Sequence, residues 1–157
     1  MAELFEISEL VKVAVEDERT GVVFYSKLAE KSEHLRETFA ELASAEEFHL
    51  AQFQEMLSEL GGVQSREQYP GEYMAYLQAL TTERAFPDEA TAIRMAEECD
   101  GDAEAIQLAN RFERDTLVLL NEMRKLVPDK HSAIVDKIAQ EEQAHLVTLT
   151  EAREKLN

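Results

Sequence analysis

The sequence predicts an all-α protein: an antiparallel four-helix bundle with a long helical crossover between its second and third long helices. Apolar residues recur at spacings of three and four through four long segments, as in helices that bury one face. The five glycines and three prolines fall mostly where that pattern breaks, so they mark helix ends. With 157 residues and 45% hydrophobic content, the chain is expected to form one domain, residues 1–157.

The first two long helices are expected to pair as an antiparallel hairpin. The first should run from about Ser8, a suitable N-cap residue with acidic neighbours, to about Lys31. The second should run from about Leu35 to Leu60. The glycine pair at positions 61 and 62 then ends it.

The last two long helices are expected to form a second hairpin. The third long helix should cover residues 102–127, and the fourth should run from residue 129 or 130 to residue 155. Pro128 marks the turn between them, because proline is favoured at the start of a helix and not in its interior.

Between the hairpins lie about 40 residues, 61–101, which we interpret as the crossover of the bundle. Helical patterns at 69–80 and 88–98 are too regular for a flexible linker. Four side chains of this segment are expected to cover one end of the bundle or a dimer face: Tyr69, Tyr73, Met74 and Tyr76.

Composition excludes several classes of partner. The formal charge is −17, from 33 acidic and 16 basic side chains, so repulsion opposes binding to nucleic acid or to anionic membranes. The single cysteine, Cys99, allows neither an intrachain disulfide nor a four-cysteine metal site. No export signal and no apolar run of about 20 residues is recognisable, and a cytoplasmic location is expected.

A Glu-x-x-His step occurs twice, as Glu46 to His49 and as Glu142 to His145. Each step lies inside an apolar helical stripe, where a carboxylate and an imidazole replace core residues. Residues three apart share a helix face, so each pair can reach a single point. Each pair therefore has the form of half a metal site.

The two hairpins also carry matching patterns, as expected of a duplication. Placing Glu18 over Glu113 aligns the apolar stripes of the first and third long helices. The step from Glu18 to Glu46 is 28 residues, and the step from Glu113 to Glu142 is 29. Each half thus carries an inward carboxylate and a Glu-x-x-His step at nearly the same separation.

Six side chains are therefore expected to meet in the bundle core. Burying four carboxylates in a dry core is prohibitive unless they are protonated or neutralised by cations. Two divalent ions would leave the site close to neutral. Carboxylate-rich ligation with one imidazole per metal favours iron, with manganese or zinc as possible substitutes, although zinc more often takes thiolate or histidine ligands.

With these motifs the chain resembles the ferritin-like di-iron carboxylate superfamily and, within it, the rubrerythrin-type proteins. The resemblance covers nearly all of the chain outside the crossover. It rests on four motifs: Glu18 followed by Gly21-Val-Val-Phe-Tyr25, Glu46-Glu47-Phe48-His49, Glu113-Arg114-Asp115, and Glu141-Glu142-Gln143-Ala144-His145.

The resemblance implies a role for each residue. Glu18 and Glu113 would be terminal ligands, and Glu46 and Glu142 would bridge two irons. One histidine, His49 or His145, would bind each iron. The implied reaction is oxidation of a ferrous pair by peroxide or dioxygen, and a homodimer is expected.

The chain also departs from the typical rubrerythrin. It has no rubredoxin-like part with four cysteines, so any electron donor would be a separate protein. The additional glutamate near the third-helix ligand is missing, because Asn110 and Thr116 stand three residues before and after Glu113. Bacterioferritin presents a similar ligand set, but its crossover is shorter and no haem-ligand signature is found here, so a storage cage is disfavoured.

Tyr25, seven residues after Glu18, could donate its hydroxyl to a ligand carboxylate or could simply belong to the core. Leu120 holds the corresponding place in the second half, so such a hydrogen bond would make the site asymmetric.

Other polar residues are expected to have ordinary roles. Glu47 and Glu141 each adjoin a motif glutamate and should point about 100° away from it, toward solvent. His34 and His131 lie near predicted helix starts and should be surface residues. The thiol of Cys99 should be inert.

Three functions remain open at this point. The first is di-iron oxidoreductase chemistry. The second is iron binding, slow ferrous oxidation or storage without a dedicated reductant. The third is a structural bundle without metal, in which buried histidines pair with carboxylates, because a single Glu-x-x-His step is more typical of that arrangement.

Overall fold

The computed structural model describes residues 7–60 and 71–157 of the chain. The described part contains no strand, which confirms the all-α prediction. Its helices, in chain order, are α1 (Ile7–Lys31), α2 (Arg36–Leu60), α3 (Gly71–Thr82), α4 (Glu89–Glu98), α5 (Gly101–Leu126) and α6 (Asp129–Lys155).

The four long helices end within one or two residues of the predicted positions. Part of the predicted crossover lies outside the described residues: the glycine pair at positions 61 and 62, Tyr69 and Pro70. The side chain of Met74 also lies outside them. The predicted N-cap at Ser8 is wrong, because α1 already includes Ile7 and Ser8 is a buried residue of its first turn. Asp88 does cap α4, since its Oδ1 accepts a hydrogen bond from the Thr91 amide at 2.7 Å.

The bundle consists of two helical hairpins. Helix α1 packs along α2, and α5 packs along α6. The hairpins meet where α1 contacts α5 and α2 contacts α6, while the crossover helices lie outside, α4 against α1 and α3 against α5. This arrangement lets all four long helices contribute side chains to the same level of the interior.

The apolar core is divided into two clusters. On α1 the first cluster includes Phe24 and Leu28, and the second includes Leu10 and Val11. The polar motif residues occupy the sequence between these clusters on each of the four long helices. A buried polar layer therefore lies mid-bundle, with apolar residues above and below it.

The segment between α3 and α4 is fixed to the bundle beside this layer. Arg84 forms a partly buried ion pair with Asp17 on α1. The amide of Ala85 donates a hydrogen bond to Asp115 on α5 at 2.7 Å. The Phe86 ring stacks near α1 and α5 aromatic rings, so the crossover holds the two helices together.

No helix in residues 7–60 and 71–157 is long and apolar enough to cross a membrane.

Candidate metal centre

All six residues proposed from the sequence meet in the polar layer. Each long helix presents them on the face that its apolar stripe turns inward. The four carboxylates and His49 are fully buried, and the His145 side chain is 11% exposed. They come from α1 (Glu18), α2 (Glu46 and His49), α5 (Glu113) and α6 (Glu142 and His145).

The six side chains form two overlapping groups of four. One ligand atom from each residue of a group lies within 4.8 Å of the others. The first group is Glu18, Glu46, His49 and Glu142, and the second is Glu46, Glu113, Glu142 and His145. Glu46 and Glu142 belong to both, so each can serve two neighbouring positions at once.

The Nδ1 atom of His49 points into the first group. It lies 2.9 Å from Glu142 Oε1, 3.7 Å from Glu18 Oε2 and 3.9 Å from Glu46 Oε2. The opposite ring nitrogen, Nε2, faces away from the group, toward Glu141.

The Nδ1 atom of His145 points into the second group in the same way. It lies 2.6 Å from Glu142 Oε2, 3.5 Å from Glu113 Oε1 and 3.6 Å from Glu46 Oε1. The two oxygens of Glu142 thus face different histidines, and so do the two oxygens of Glu46. This is the arrangement that a pair of bridging carboxylates requires.

Nine ligand atoms in the layer are buried without a hydrogen-bond partner among the described residues: both carboxylate oxygens of Glu18, Glu46 and Glu142, Oε2 of Glu113, and Nδ1 of His49 and His145. Buried polar atoms are nearly always satisfied in folded proteins. The lone pairs of these oxygen and imidazole nitrogen atoms converge, and divalent cations can bind such a set. A donor set rich in carboxylates suits iron or manganese. The residues present therefore fit a two-metal centre.

The pKa values of the carboxylates also indicate that the layer suits cations. Burial, followed by repulsion from neighbouring carboxylates such as Glu142, raises the pKa of Glu18 and of Glu46 well above the usual value. The same causes raise the pKa of Glu113 to about 8. Without a cation, Glu113 therefore carries a proton at neutral pH, and the pKa values of Glu18 and Glu46 are shifted in the same direction.

The other three groups form a charged set. Burial opposes ionisation of Glu142, but the His145 and His49 rings that face its two oxygens outweigh this effect and lower the pKa of Glu142 to about 2. Burial likewise opposes protonation of both histidines. The facing carboxylates prevail and raise the pKa of His49 to about 9 and that of His145 to about 10.

Tyr25 makes the hydrogen bond considered from the sequence. Its hydroxyl, fully buried on α1, donates to Glu113 Oε1 on α5. The corresponding residue of the second half is Leu120, which has no hydroxyl. The cluster is therefore asymmetric at this point.

Gly21 gives Glu46 the space it occupies. A Cβ atom at Gly21 would lie 3.1 Å from Glu46 Cγ, 3.1 Å from Glu46 Oε2 and 2.9 Å from Phe112 Cζ. Any side chain at this position would press on a carboxylate of the cluster.

The prediction that Glu141 is a solvated charge is incomplete. Its Oε2 lies 2.8 Å from Nε2 of His49, although the side chain is still 39% exposed. A rotation of about 100° from Glu142 carries Glu141 toward α2 and not toward open solvent. The sequence gives one signal for it: the corresponding residue of the first half is Ala45, so the carboxylate is an addition to the duplicated pattern. Glu47 is exposed, as predicted.

His131 was also predicted wrongly. It is buried in the first turn of α6, where Nε2 lies 3.5 Å from Glu59 Oε2 in the last turn of α2. The short connection before α6 brings this turn against the end of α2. His34 is exposed as predicted, and the buried Cys99, whose thiol pKa is raised by burial, fits an inert role.

The crossover tyrosines divide between two environments. The hydroxyl of Tyr73 donates to Glu122 on α5 at 2.8 Å, so this residue packs on the bundle. Tyr76 is 43% exposed.

Comparison with known proteins places the chain beside a protein family. A sequence model of the family described as Rubrerythrin matches residues 9–153, which include the six clustered side chains. Neither the curated proteins nor the solved structures compared with the chain gave a significant match.

Proposed function

Because the chain belongs to the rubrerythrin family, we propose that its six clustered side chains hold two iron ions and that the protein is an oxidoreductase reacting a ferrous pair with peroxide or dioxygen. The observation that carries the proposal is the set of nine buried, unpartnered ligand atoms in two groups that share two carboxylates. A structural bundle without metal would have to satisfy these atoms by protonation and by ion pairs with the two histidines, because each buried polar group left unsatisfied costs about 1 to 3 kcal/mol.

In this proposal each residue has a distinct role. Glu18 would bind only the ion beside His49, and Glu113 only the ion beside His145, because each belongs to one group. Glu46 and Glu142 would bridge the ions. The four negative charges balance two divalent cations, so loading would replace protons by metal without leaving a large net charge in the core.

A bound ferrous pair would supply two electrons, one from each ion, for cleavage of an O–O bond. The protein residues determine the surroundings of that reaction. The apolar clusters above and below the layer restrict water, and the Tyr25 hydroxyl fixes one oxygen of Glu113. Reduction of one peroxide to two waters also consumes two protons, so the cluster needs proton donors within reach of solvent.

The chain carries a single cysteine, so we propose that repeated turnover draws electrons from a separate donor protein. We also propose a homodimer, on the basis of the resemblance, and a cytoplasmic location, which a single cysteine suits.

A second candidate is iron binding or storage with slow oxidation and no dedicated reductant. It is favoured by the residues three positions before and after Glu113, which are Asn110 and Thr116, where typical peroxidases of the family carry an additional glutamate. The Thr116 hydroxyl is buried without a hydrogen-bond partner among the described residues.

Rapid mixing separates these functions. The metal-free protein is loaded anaerobically with two equivalents of ferrous iron and mixed with hydrogen peroxide or with dioxygen, and ferric absorbance is followed. Oxidoreductase function predicts fast oxidation of two irons per peroxide, and further peroxide consumption when a chemical reductant is added. Iron storage predicts slow oxidation and no turnover.

Matched variants control the experiment. Glu113→Gln removes one proposed ligand, and it should abolish the fast phase. Glu47→Gln makes the same change at an exposed position beside Glu46 and should react like the unmodified protein. A loaded protein that is inert to both oxidants would contradict the oxidoreductase proposal.

A further inference from the structure

His49 contacts carboxylates through both ring nitrogens. Its Nδ1 faces the first ligand group, with Glu142 Oε1 at 2.9 Å. Its Nε2 lies 2.8 Å from Oε2 of Glu141, a residue outside the six proposed ligands. The other oxygen of Glu141 is 4.0 Å from Lys137 Nζ on the surface of α6.

This geometry suits a histidine that binds metal through Nδ1. Such a histidine must release the Nδ1 proton and keep the one on Nε2. A carboxylate that accepts the Nε2 proton fixes both the tautomer and the orientation of the ring, and it makes Nδ1 a stronger donor. Glu141 is placed to do this from the side of the ring that faces away from the cluster.

The two halves of the protein differ at this position. Glu141 immediately precedes Glu142, whereas the residue that precedes Glu46 is Ala45. The first half therefore has no carboxylate in the place that corresponds to Glu141. An alanine side chain cannot accept a hydrogen bond from an imidazole.

The terminal glutamates of the two groups also differ, in their hydrogen-bond partners. Neither oxygen of Glu18, in the His49 group, has a hydrogen-bond partner among the described residues. One oxygen of Glu113, in the His145 group, is already bonded to the Tyr25 hydroxyl. One terminal oxygen of the second group is thus shared with a protein donor, whereas both terminal oxygens of the first group are unshared.

We propose that Glu141 is a positioning residue for His49, and that it makes the metal position formed by Glu18, Glu46, His49 and Glu142 the tighter of the two. The inference rests on the proposed two-metal centre and adds an order of filling to it. The first divalent ion to bind occupies the His49 position, and the second occupies the His145 position at higher metal concentration.

Calorimetric titration of the metal-free protein with cobalt(II) tests the order. The unmodified protein should bind two ions in two resolved steps. Glu141→Ala should weaken the tighter step by about 10- to 100-fold and leave the other step nearly unchanged. The tighter step of Glu141→Gln should have an affinity between those of the unmodified protein and Glu141→Ala, because its amide oxygen still accepts a hydrogen bond. Glu47→Ala, an exposed glutamate beside the ligand Glu46, is the control and should bind like the unmodified protein.

Proton NMR of the cobalt-loaded protein provides a second readout. Cobalt-bound histidines give shifted ring N–H signals, and the signal of His49 should exchange slowly with water because Glu141 holds its proton. Faster exchange of that signal alone in Glu141→Ala supports the inference.

Two results overturn the inference while the two-metal centre stands. One is a pair of equal binding steps in the unmodified protein. The other is a Glu141→Ala variant whose binding steps and N–H exchange are unchanged, or whose two steps weaken equally. Binding of fewer than two ions by the unmodified protein would instead contradict the proposed function.

Discussion

The hydroxyl of Tyr25 on α1 donates a hydrogen bond to Oε1 of Glu113 on α5, and so links the two helical hairpins at the level of the carboxylate cluster. Both side chains are completely buried. Burial and the negative charge of Glu113 raise the pKa of Tyr25 well above its usual range, so the hydroxyl keeps its proton and remains a donor. The other oxygen, Glu113 Oε2, is buried without a hydrogen-bond partner among the described residues.

Replacing Tyr25 by phenylalanine tests this link. Tyr25→Phe keeps the ring in the core but leaves Glu113 Oε1 without its donor, so the free energy of unfolding of the metal-free protein should fall by about 1 to 3 kcal/mol. Urea unfolding measures the change. The control is Tyr76→Phe, which removes a hydroxyl from a side chain that is 43% exposed and should change stability by less than about 0.5 kcal/mol.

Gly21→Ala tests the close approach of α1 to the cluster. The new methyl group would overlap the Phe112 ring and Glu46, which should cost about 1 to 3 kcal/mol and displace a proposed bridging carboxylate. Alanine is otherwise the better helix former by about 1 kcal/mol. A variant that is more stable, with unchanged metal stoichiometry, would show that helix propensity dominates and that the space beside Glu46 is not needed.

The stability of the metal-free protein should fall as the pH rises from about 5 to about 9. Glu113 has a folded-state pKa of about 8. The stability that its protonated form contributes is therefore fully present below its usual pKa and is lost as the pH rises through 8. The pKa values of His49 and His145 are raised to about 9 and about 10, so both histidines also reduce stability as the pH rises above 6.5. The pKa of Glu142 is lowered to about 2, so this residue reduces stability as the pH falls, but only below pH 4.5.

Thermal unfolding at constant ionic strength measures this pH dependence. Glu113→Gln should flatten the decline between pH 5 and pH 8, because the amide cannot ionise. A melting temperature that rises with pH across this interval would contradict the proposed protonation of the cluster.

Arg84 should contribute to stability through Asp17. This carboxylate is 3% exposed, and burial raises its pKa to about 6 even though Arg84 pairs with it. Arg84→Ala leaves the buried carboxylate without its partner, at an expected cost of about 3 kcal/mol. Adding Asp17→Asn should recover part of the loss, which a double-mutant cycle measures.

An exposed pair provides the comparison for Arg84. Arg19 and Glu16 lie 2.6 Å apart with side chains 39% and 57% exposed, and Arg19→Ala should cost less than about 1 kcal/mol. Equal losses in Arg84→Ala and Arg19→Ala would contradict a special role for the buried pair.

The sequence predicted the helices and the convergence of the six polar side chains because both follow from local spacing. A three-and-four repeat determines which residues share the buried face of a helix, and Glu18, Glu46 and Glu142 all lie on such faces. In a four-helix bundle the buried faces must meet. That the cluster binds metal remains a prediction.

Features that depend on the path of a neighbouring element could not be predicted in this way. Glu141 adjoins the buried face, and only the position of α2 decides that one of its oxygens meets His49. Arg84 lies in the crossover, whose course over α1 leaves no periodic signal. His131 is buried because the end of α2 stands beside the start of α6.

The most direct test of the central claim is an anaerobic titration of metal-free protein with ferrous iron, counting the iron retained per chain after gel filtration. Two shared carboxylates and two histidine positions predict saturation at about two ions per chain, and about one tightly held ion or fewer in Glu46→Ala, which removes a proposed bridge. If the unmodified protein retains no iron, its buried carboxylates and histidines form a polar network within a structural bundle, and the di-iron account is wrong.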